Sequence, residues 1–555
     1  MKRFINVNTI LLFILFLAAF LRLWKLGTIP PHLTADEAAL GYNAYSILKT
    51  GKDFWGTSFP IIFKSFGDYT PGLYVYLAAP LIAILGLNEF SVRFPNAIFG
   101  VIIVYFVFLI ARIIFEKAKY KNFERTALYA GFLAAINPWL IQFSRGAWVP
   151  NLALALTLVG IYFFLKSLEK SKFLLVSAIF FGLTLISYQG AKLSTAVVVA
   201  ILGILFFKEL IGFDKKILLG SFGVGLILSL PILVSIYAGQ AGRLSVVSVF
   251  SYSRPQEDIQ KILEQGNEQA GGITTLAFHT ETLNWARVIA GKWFNHFSGR
   301  FLFFEGDWNN PRHSPPNMGM FLLADSILIL AGLVKFVRNI KNKYFLFILL
   351  WLVLAPIPSI LSRDPVHGVR SIQMVIPLIV VSSLALYGFF EKLFKGTLIK
   401  IAVLAFVALY FLNYLYYLDS YFVHLPTHSA KYWEYGYREA VEYLKESGLD
   451  SREIVFQQSY AQPFIYFLFY WKEDSREFWE SAVYEPSSVG DVGLVSEYKN
   501  LSFQFLSWPF KFPSGTVVVA DEVVAPKDRV LVDYRILEEV LRPDGSLAFL
   551  IMEAK

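Results

Sequence analysis

The chain has 555 residues, 56% hydrophobic, 17% aromatic and only 17% charged, with a mean hydropathy of +0.52. A soluble domain carries about 25% charged residues, so a large soluble globule is excluded and a polytopic α-helical membrane protein is expected. The formal charge of +8 is no nucleic-acid signature, because the basic residues gather in short loops between apolar runs as topology signals do; without cysteine there is no disulfide and no thiolate chemistry.

Lys2 and Arg3 precede an apolar run from Ile10 to Leu21 that has no small-x-small cleavage site after it, which predicts an uncleaved first span with its amino terminus inside. About ten residues past this span, Pro30 to Tyr42 carries the adjacent acids Asp36 and Glu37, and Phe66 to Pro71 adds Asp68 and Tyr69.

The apolar stretch Pro71–Leu87 can span or lie in the interface, and the loop charges decide. If it lies flat, the basic loop with Arg112, Lys117, Lys119, Lys121 and Arg125 falls inside. So do the later loops around Lys166–Lys172, Lys208–Lys216, Lys335–Lys343 and Lys392–Lys400, while the alternate loops hold only Arg145, Lys192, Arg363 and Arg370. The flat arrangement follows. It predicts about eleven spans, near 8–26, 94–115, 125–143, 150–167, 172–187, 192–208, 216–237, 318–338, 343–361, 371–391 and 398–417. Residues 1–417 form the transmembrane module, with outer loops 27–93 and 238–317. The longer loop is expected to hold a surface-lying helix over Thr280–Phe297, then a polar turn-rich segment ending in Arg312 and His313.

After Tyr417 the composition turns polar, and residues 418–555 read as a small extracytoplasmic α/β domain. A helix is expected over Lys431–Glu446 and strands over Glu453–Gln458, Thr516–Ala520, Arg529–Val532 and Leu547–Met552, with a hairpin turn at Pro543-Asp544-Gly545. It has no nucleophile, metal set or phosphate loop, so its expected role is to tune acceptor access or partner contact.

Asp36 and Glu37 fit a general base and a residue that orients it, or else a solvated helix cap. Asp68 fits a substrate contact or a turn before Pro71. Arg145 and Arg370 sit at span ends on the face the charge rule leaves nearly bare, which makes their forked guanidinium groups candidates for an anionic ligand. Arg145 also fits a headgroup anchor beside Trp139 and Trp148. Lys192 shares the anion-binding logic with less force, and Arg312, His313 and His367 are further candidates for binding donor or substrate, although Arg312 and His313 also fit turn caps. Seven scattered histidines predict no metal cluster. No Gly-rich phosphate loop, His-Glu-x-x-His or Gly-x-Ser-x-Gly is present.

The run from Leu21-Arg22-Leu23 through Pro30-Pro31 to Ala35-Asp36-Glu37-Ala38-Ala39-Leu40-Gly41-Tyr42 resembles the first outer loop of GT-C glycosyltransferases, nearest the protein-mannosyltransferase-like and aminoarabinose-transferase-like enzymes. Phe66-Gly67-Asp68-Tyr69 into Asn88–Pro95, Asn137-Pro138 to Arg145, and Phe303–Asp307 to Arg312-His313 extend it in order. The resemblance implies inverting transfer of a sugar from a polyprenyl-phosphate donor to an acceptor hydroxyl on a protein, lipid or glycan at the outer face. It also implies Asp36 as base and basic outer residues on the phosphate. It places the chain in a prokaryotic plasma membrane and demands no cofactor, with a divalent metal left open. Two positions depart from the relatives: Thr70 stands where they often have lysine, and Val149-Pro150-Asn151 replaces an acid-bearing segment. A lipid or glycan flippase without transferase activity is the alternative. It would need mid-span charges or paired broken helices.

Overall fold

The computed structural model describes residues 6–66, 68–240, 247–392, 396–458, 462–485, 494–528 and 531–555. The chain is a helical membrane bundle capped at one end by a layer that packs with a carboxy-terminal sheet domain. Its first half runs α1 (Val7–Leu23), α2 (Ala35–Thr50), the hairpin β1 (Ile62–Ser65) and β2 (Asp68–Pro71), α3 (Leu73–Leu85), α4 (Glu89–Lys117), α5 (Phe123–Ile136), α6 (Pro138–Ser144), α7 (Val149–Ser167), α8 (Phe173–Leu185) and α9 (Ala191–Leu205). Further helical segments are Lys215–Tyr237, Asp325–Arg338, Lys343–Ile360, Ile372–Lys392 and Thr397–Asp419.

Every predicted span holds helix. Among the described residues six helices are long and apolar enough to cross a membrane, and several shorter ones accompany them. Residues 125–143 break into α5 and α6, because Pro138 lacks an N–H and drives Asn137 out of the helical region. Asn137 caps the second piece by accepting from the Leu140 N–H at 3.0 Å.

Three hydrophobic cores form among the described residues, the third on one face of the carboxy-terminal sheet (Val455, Val518, Leu550, Met552). The first is the bundle, built on α1, α4, α5, α7 and the helices after residue 320. The second joins α2, α3 and the start of α4 to the carboxy-terminal domain. The buried face of α3 (Tyr74, Val75, Ala78, Ala79, Ile82) packs in this second core.

With β4 (Val483–Glu485), β5 (Leu494–Tyr498), β6 (Leu501–Gln504) and the strands β3 (Ile454–Gln457), β7 (Val517–Asp521), β8 (Tyr534–Leu541) and β9 (Leu547–Ala554), the carboxy-terminal domain holds a seven-stranded mixed sheet, ordered β4-β5-β6-β3-β7-β9-β8. Strands β3 (Ile454–Gln457), β7 (Val517–Asp521) and β9 (Leu547–Ala554) lie where predicted, and the turn at 543–545 joins β8 (Tyr534–Leu541) to β9. In the expected strand Arg529–Val532, Arg529 and Val530 lie outside the described residues; the observed strand starts at Tyr534. The expected helix Lys431–Glu446 is cut short. A 3-10 turn at Ala430–Trp433 and left-handed backbone at Glu434 (φ 57°) and Gly436 (φ 111°) precede the helix Tyr437–Glu446. Strands β4 to β6 and the buried apolar helix Phe464–Trp471 were not predicted.

Candidate active site

The site is built on the start of α2. Thr34 and Glu37 form a capping box: Thr34 Oγ1 accepts from the Glu37 N–H at 3.3 Å, and the Thr34 N–H donates to Glu37 Oε2 at 3.1 Å. Glu37 Oε1 also accepts from the Ala147 N–H at 2.8 Å and from Arg93 Nε at 3.0 Å. Arg93 spends its other nitrogens on Glu37 Oε2 and on the carbonyls of Leu26, Pro30 and His32. Glu37 is therefore buried, with both carboxylate oxygens committed to groups of the protein. Asp36, one residue earlier, is exposed and accepts no hydrogen bond from any described residue.

Arg145 departs from its expected place on an anion. It is fully buried at the end of α6, and its guanidinium donates to the carbonyls of Leu21 (2.8 Å), Trp24 (2.6 Å) and Ile29 (3.0 Å). Together with Arg93 it staples the loop that leads into α2. Arg22, also buried, donates to the carbonyls of Ala134 and Ala135, the orphan acceptors at the end of α5. Asn151, in the segment that lacks the relatives' acid, donates to Asn96.

Beside Asp36 stands Glu434, from the carboxy-terminal domain. It accepts from the Ala35 N–H at 2.7 Å and from the Tyr466 hydroxyl, and it pairs with Arg312 at 3.6 Å. Burial pushes the Glu434 carboxyl above its usual range, and the neighbouring charge of Asp36 pushes the same way. From Arg312 the cluster continues through adjacent residues. His313 Nδ1 lies 2.7 Å from Asp307 Oδ2, its ring is 5.1 Å from that of His367, and Arg370 pairs with Asp364 at 2.6 Å. Burial first, then the nearby Arg370, drives the His367 imidazole well below its ordinary range. Trp148 walls this side, edge-on to His313 and Trp433.

The structure thus gathers Asp36, Arg312, His313, His367 and Arg370. Asp68, Tyr69 and Lys192 stand in another polar group, where α9 meets the β1–β2 hairpin: Lys192 Nζ bonds Gln189 Oε1, and Gln189 bonds the Tyr69 carbonyl. Among the described residues no hydrogen bond or ion pair joins that group to Asp36. Sequence reasoning missed Arg93 and Glu434. Arg93 lies at the start of a span on the bare face, the same signal that singled out Arg370. Glu434 carries no local signal, because its role exists only across the interface of two distant segments.

Residues 70–234 match the family model described as dolichyl-phosphate-mannose-protein mannosyltransferase. No curated protein matches the chain. Among solved structures, ArnT from Cupriavidus metallidurans is similar in its apo state at 11% identity, with a TM-score of 0.51, 98% of this chain and 97% of that chain covered. ArnT bound to undecaprenyl phosphate gives 10% identity and a TM-score of 0.50 with the same coverage. The apo oligosaccharyltransferase of Archaeoglobus fulgidus aligns at 16% identity and a TM-score of 0.49, covering 84% of this chain, which spans only 64% of that longer protein. The chain thus shares the fold of ArnT over 98% of its length, and residues 70–234 match the mannosyltransferase family model.

Proposed function

We propose that this chain is an integral membrane glycosyltransferase that moves a sugar from a polyprenyl-phosphate donor to an acceptor hydroxyl at the outer face, with inversion. One observation carries the reading: an exposed carboxylate, Asp36, on a rigidly clamped helix start, adjoins a cluster that holds Arg312, His367 and Arg370. The fold it shares with ArnT, a protein captured with undecaprenyl phosphate, supports the donor class.

In this reading Asp36 takes the acceptor hydroxyl proton as its oxygen bonds the anomeric carbon, and the bond from that carbon to the phosphate oxygen breaks. The phosphate leaves as an anion and needs no general acid, while charge of oxocarbenium type builds on the sugar. Arg312 and Arg370 stabilise the departing phosphate. They take the place expected of Arg145, whose guanidinium is buried against the carbonyls of Leu21, Trp24 and Ile29. Glu434 and Glu37 hold the turn that carries Asp36. The amino terminus would lie in the cytoplasm and the site outside it, as the loop charges indicate.

The test is Asp36→Asn in purified full-length protein, assayed for transfer from a labelled polyprenyl-phosphate sugar. A general base contributes about 10²–10⁴-fold, so transfer is expected to fall by at least a hundredfold, with thermal stability and lipid-phosphate binding retained. Transfer at the wild-type rate would remove Asp36 from the mechanism.

A further inference from the structure

We propose that the carboxyl ends of strands β6, β3 and β7 form a binding site for a neutral, hydroxyl-rich ligand of the sugar class. These three strands are the parallel part of the sheet. Open α/β sheets take their ligands outside the carboxyl ends of such strands.

The register places the residues. Phe456 lies beside Phe503 on one side and Val519 on the other. All three belong to the core shared with the helix Phe464–Trp471. Two positions further along each strand, on the same face, stand Phe505, Gln458 and Asp521. The ladder still holds at that level, because the Gln458 N–H donates to the Gln504 carbonyl at 2.9 Å. The alternate residues face the other way: Gln457 Oε1 accepts from the Leu506 N–H at 2.6 Å, and Leu506 lies in the core of the opposite face. Parallel neighbours are about 4.8 Å apart, so an aromatic ring, an amide and a carboxylate stand in one short row.

The polar members of the row lack partners. Gln458 and Asp521 are 3% and 0% exposed, and Gln462, at the start of the covering helix, is 8% exposed. Gln458 Nε2, Gln462 Oε1 and Asp521 Oδ2 nonetheless have no hydrogen-bond partner among the described residues. A buried polar atom left unpaired is rare and costly, and here three occur on adjoining segments. Asp521 is held in place, since its Oδ1 accepts from the N–H groups of Val523 at 3.0 Å and Val524 at 3.2 Å. Phe505, at the end of the row, is 69% exposed and offers an open ring face.

The unmet atoms select the ligand. They are one donor and two acceptors, one of them anionic. A phosphate would bring a second negative charge to Asp521, and an alkyl chain would leave all three unmet. An amine could serve the acceptors but not Gln458 Nε2. Neighbouring hydroxyls donate and accept together, and the C–H face of a sugar ring can lie on Phe505. Glu522, next to Asp521, pairs with Lys431, three residues before Glu434, so the site adjoins the turn that holds the start of α2. A role in presenting a sugar acceptor to Asp36 rests on the function proposed above; the site itself does not.

The experiment uses full-length protein in a detergent without a sugar headgroup. It is run over an array of neutral mono- and oligosaccharides, and each hit is titrated by calorimetry. Expected is at least one glycan bound at one per chain. Asp521→Asn and Phe505→Ala should each weaken that binding at least tenfold, with melting temperatures close to wild type. Inorganic phosphate and hexylamine should not compete. Wild type that binds no glycan on the array overturns the site and leaves its unmet atoms to water, as does glycan binding that both variants retain or that phosphate or hexylamine displaces. Binding is read without transfer, so none of these results bears on Asp36, which is tested by its own substitution.

Discussion

Substituting Glu37 by glutamine keeps its shape and removes the charge that faces Arg93 at 3.0 Å. Breaking one side of a buried ion pair leaves the other charge uncompensated and costs about 3–5 kcal/mol. Glu37→Gln is therefore expected to lower the melting temperature strongly, whereas Asp36→Asn leaves it unchanged; a thermal melt of both variants checks the contrast. A second residue-scale prediction concerns His32. It is buried, its Nδ1–H donates to the Leu33 carbonyl at 2.6 Å, and its Nε2 accepts from the Arg438 N–H at 2.9 Å. That pair of bonds requires the neutral ring. Burial lowers the His32 value and Arg438 adds to this, while Glu439, Glu89 and the Leu33 carbonyl oppose. A histidine lowered by folding contributes stability that is present above about 6.5 and is lost as pH falls through its folded value. Glu434, raised by burial, works the other way, its cost easing as pH falls. Melting temperatures measured from pH 7 to pH 4 should show a decline that is shallower in His32→Gln. The difference should approach about 1–3 kcal/mol, the cost of one unmade buried hydrogen bond, and parallel curves would show that His32 does not titrate across this range.

At the scale of elements, the site loop depends on a close crossing of backbones. The segment 318–321 lies against the turn Arg300–Phe304, with the Met320 N–H donating to the Phe301 carbonyl at 3.2 Å and the Phe321 N–H to the Leu302 carbonyl at 2.7 Å. A Cβ on Gly319 would sit 2.3 Å from the Phe303 nitrogen and 2.4 Å from the Leu302 oxygen. Backbone cannot swing aside as a side chain can, so Gly319→Ala should cost at least about 1–3 kcal/mol and loosen the loop that carries Asp307 to His313. Gly203, inside α9, has nothing within 4 Å of its missing Cβ. There alanine removes conformational freedom from the unfolded chain and should be neutral or stabilise by about 0.5–1 kcal/mol. Comparing the melting temperatures of the two variants tests the assignment, and a harmless Gly319→Ala would contradict it.

For the whole molecule, the domain boundary near residue 418 is a change of composition but not a boundary of packing. Tyr42, Phe54, Phe63 and Tyr74 from residues 27–93 share one core with Phe464, Tyr466, Phe469 and Phe478 from the carboxy-terminal domain. The Tyr42 hydroxyl donates to the Glu473 carbonyl at 2.7 Å, Ser46 bonds Ser475 at 2.8 Å, and Glu434 holds the start of α2. A domain that only tuned acceptor access could be removed with some transfer left. Deleting residues 430–555 is instead expected to abolish transfer even to a small soluble acceptor and to expose α2 and α3 to protease, because the truncation uncovers their apolar faces. A truncated protein that resists protease and transfers sugar would restore the tuning role.

Local patterns in the sequence determined a good deal. The apolar runs placed the spans, the lysines and arginines between them set an expected orientation, and turn chemistry marked the β8–β9 hairpin. These features depend on a residue's neighbours along the chain or on its affinity for lipid and water, so they can be read without the fold. The order of short motifs likewise pointed to the GT-C-like fold. What each polar group does was decided by tertiary structure. Asp36 and Glu37 are equal in sequence, and only the position of Arg93 separates the exposed acid from the buried clamp. Arg145 and Arg370 obey one charge argument, yet the first meets three carbonyls of a distant loop and the second does not. Asp307, His313 and His367 meet because Gly368 lets two backbones approach. A buried polar group must be satisfied by whatever the fold brings to it, and those partners lie dozens to hundreds of residues away.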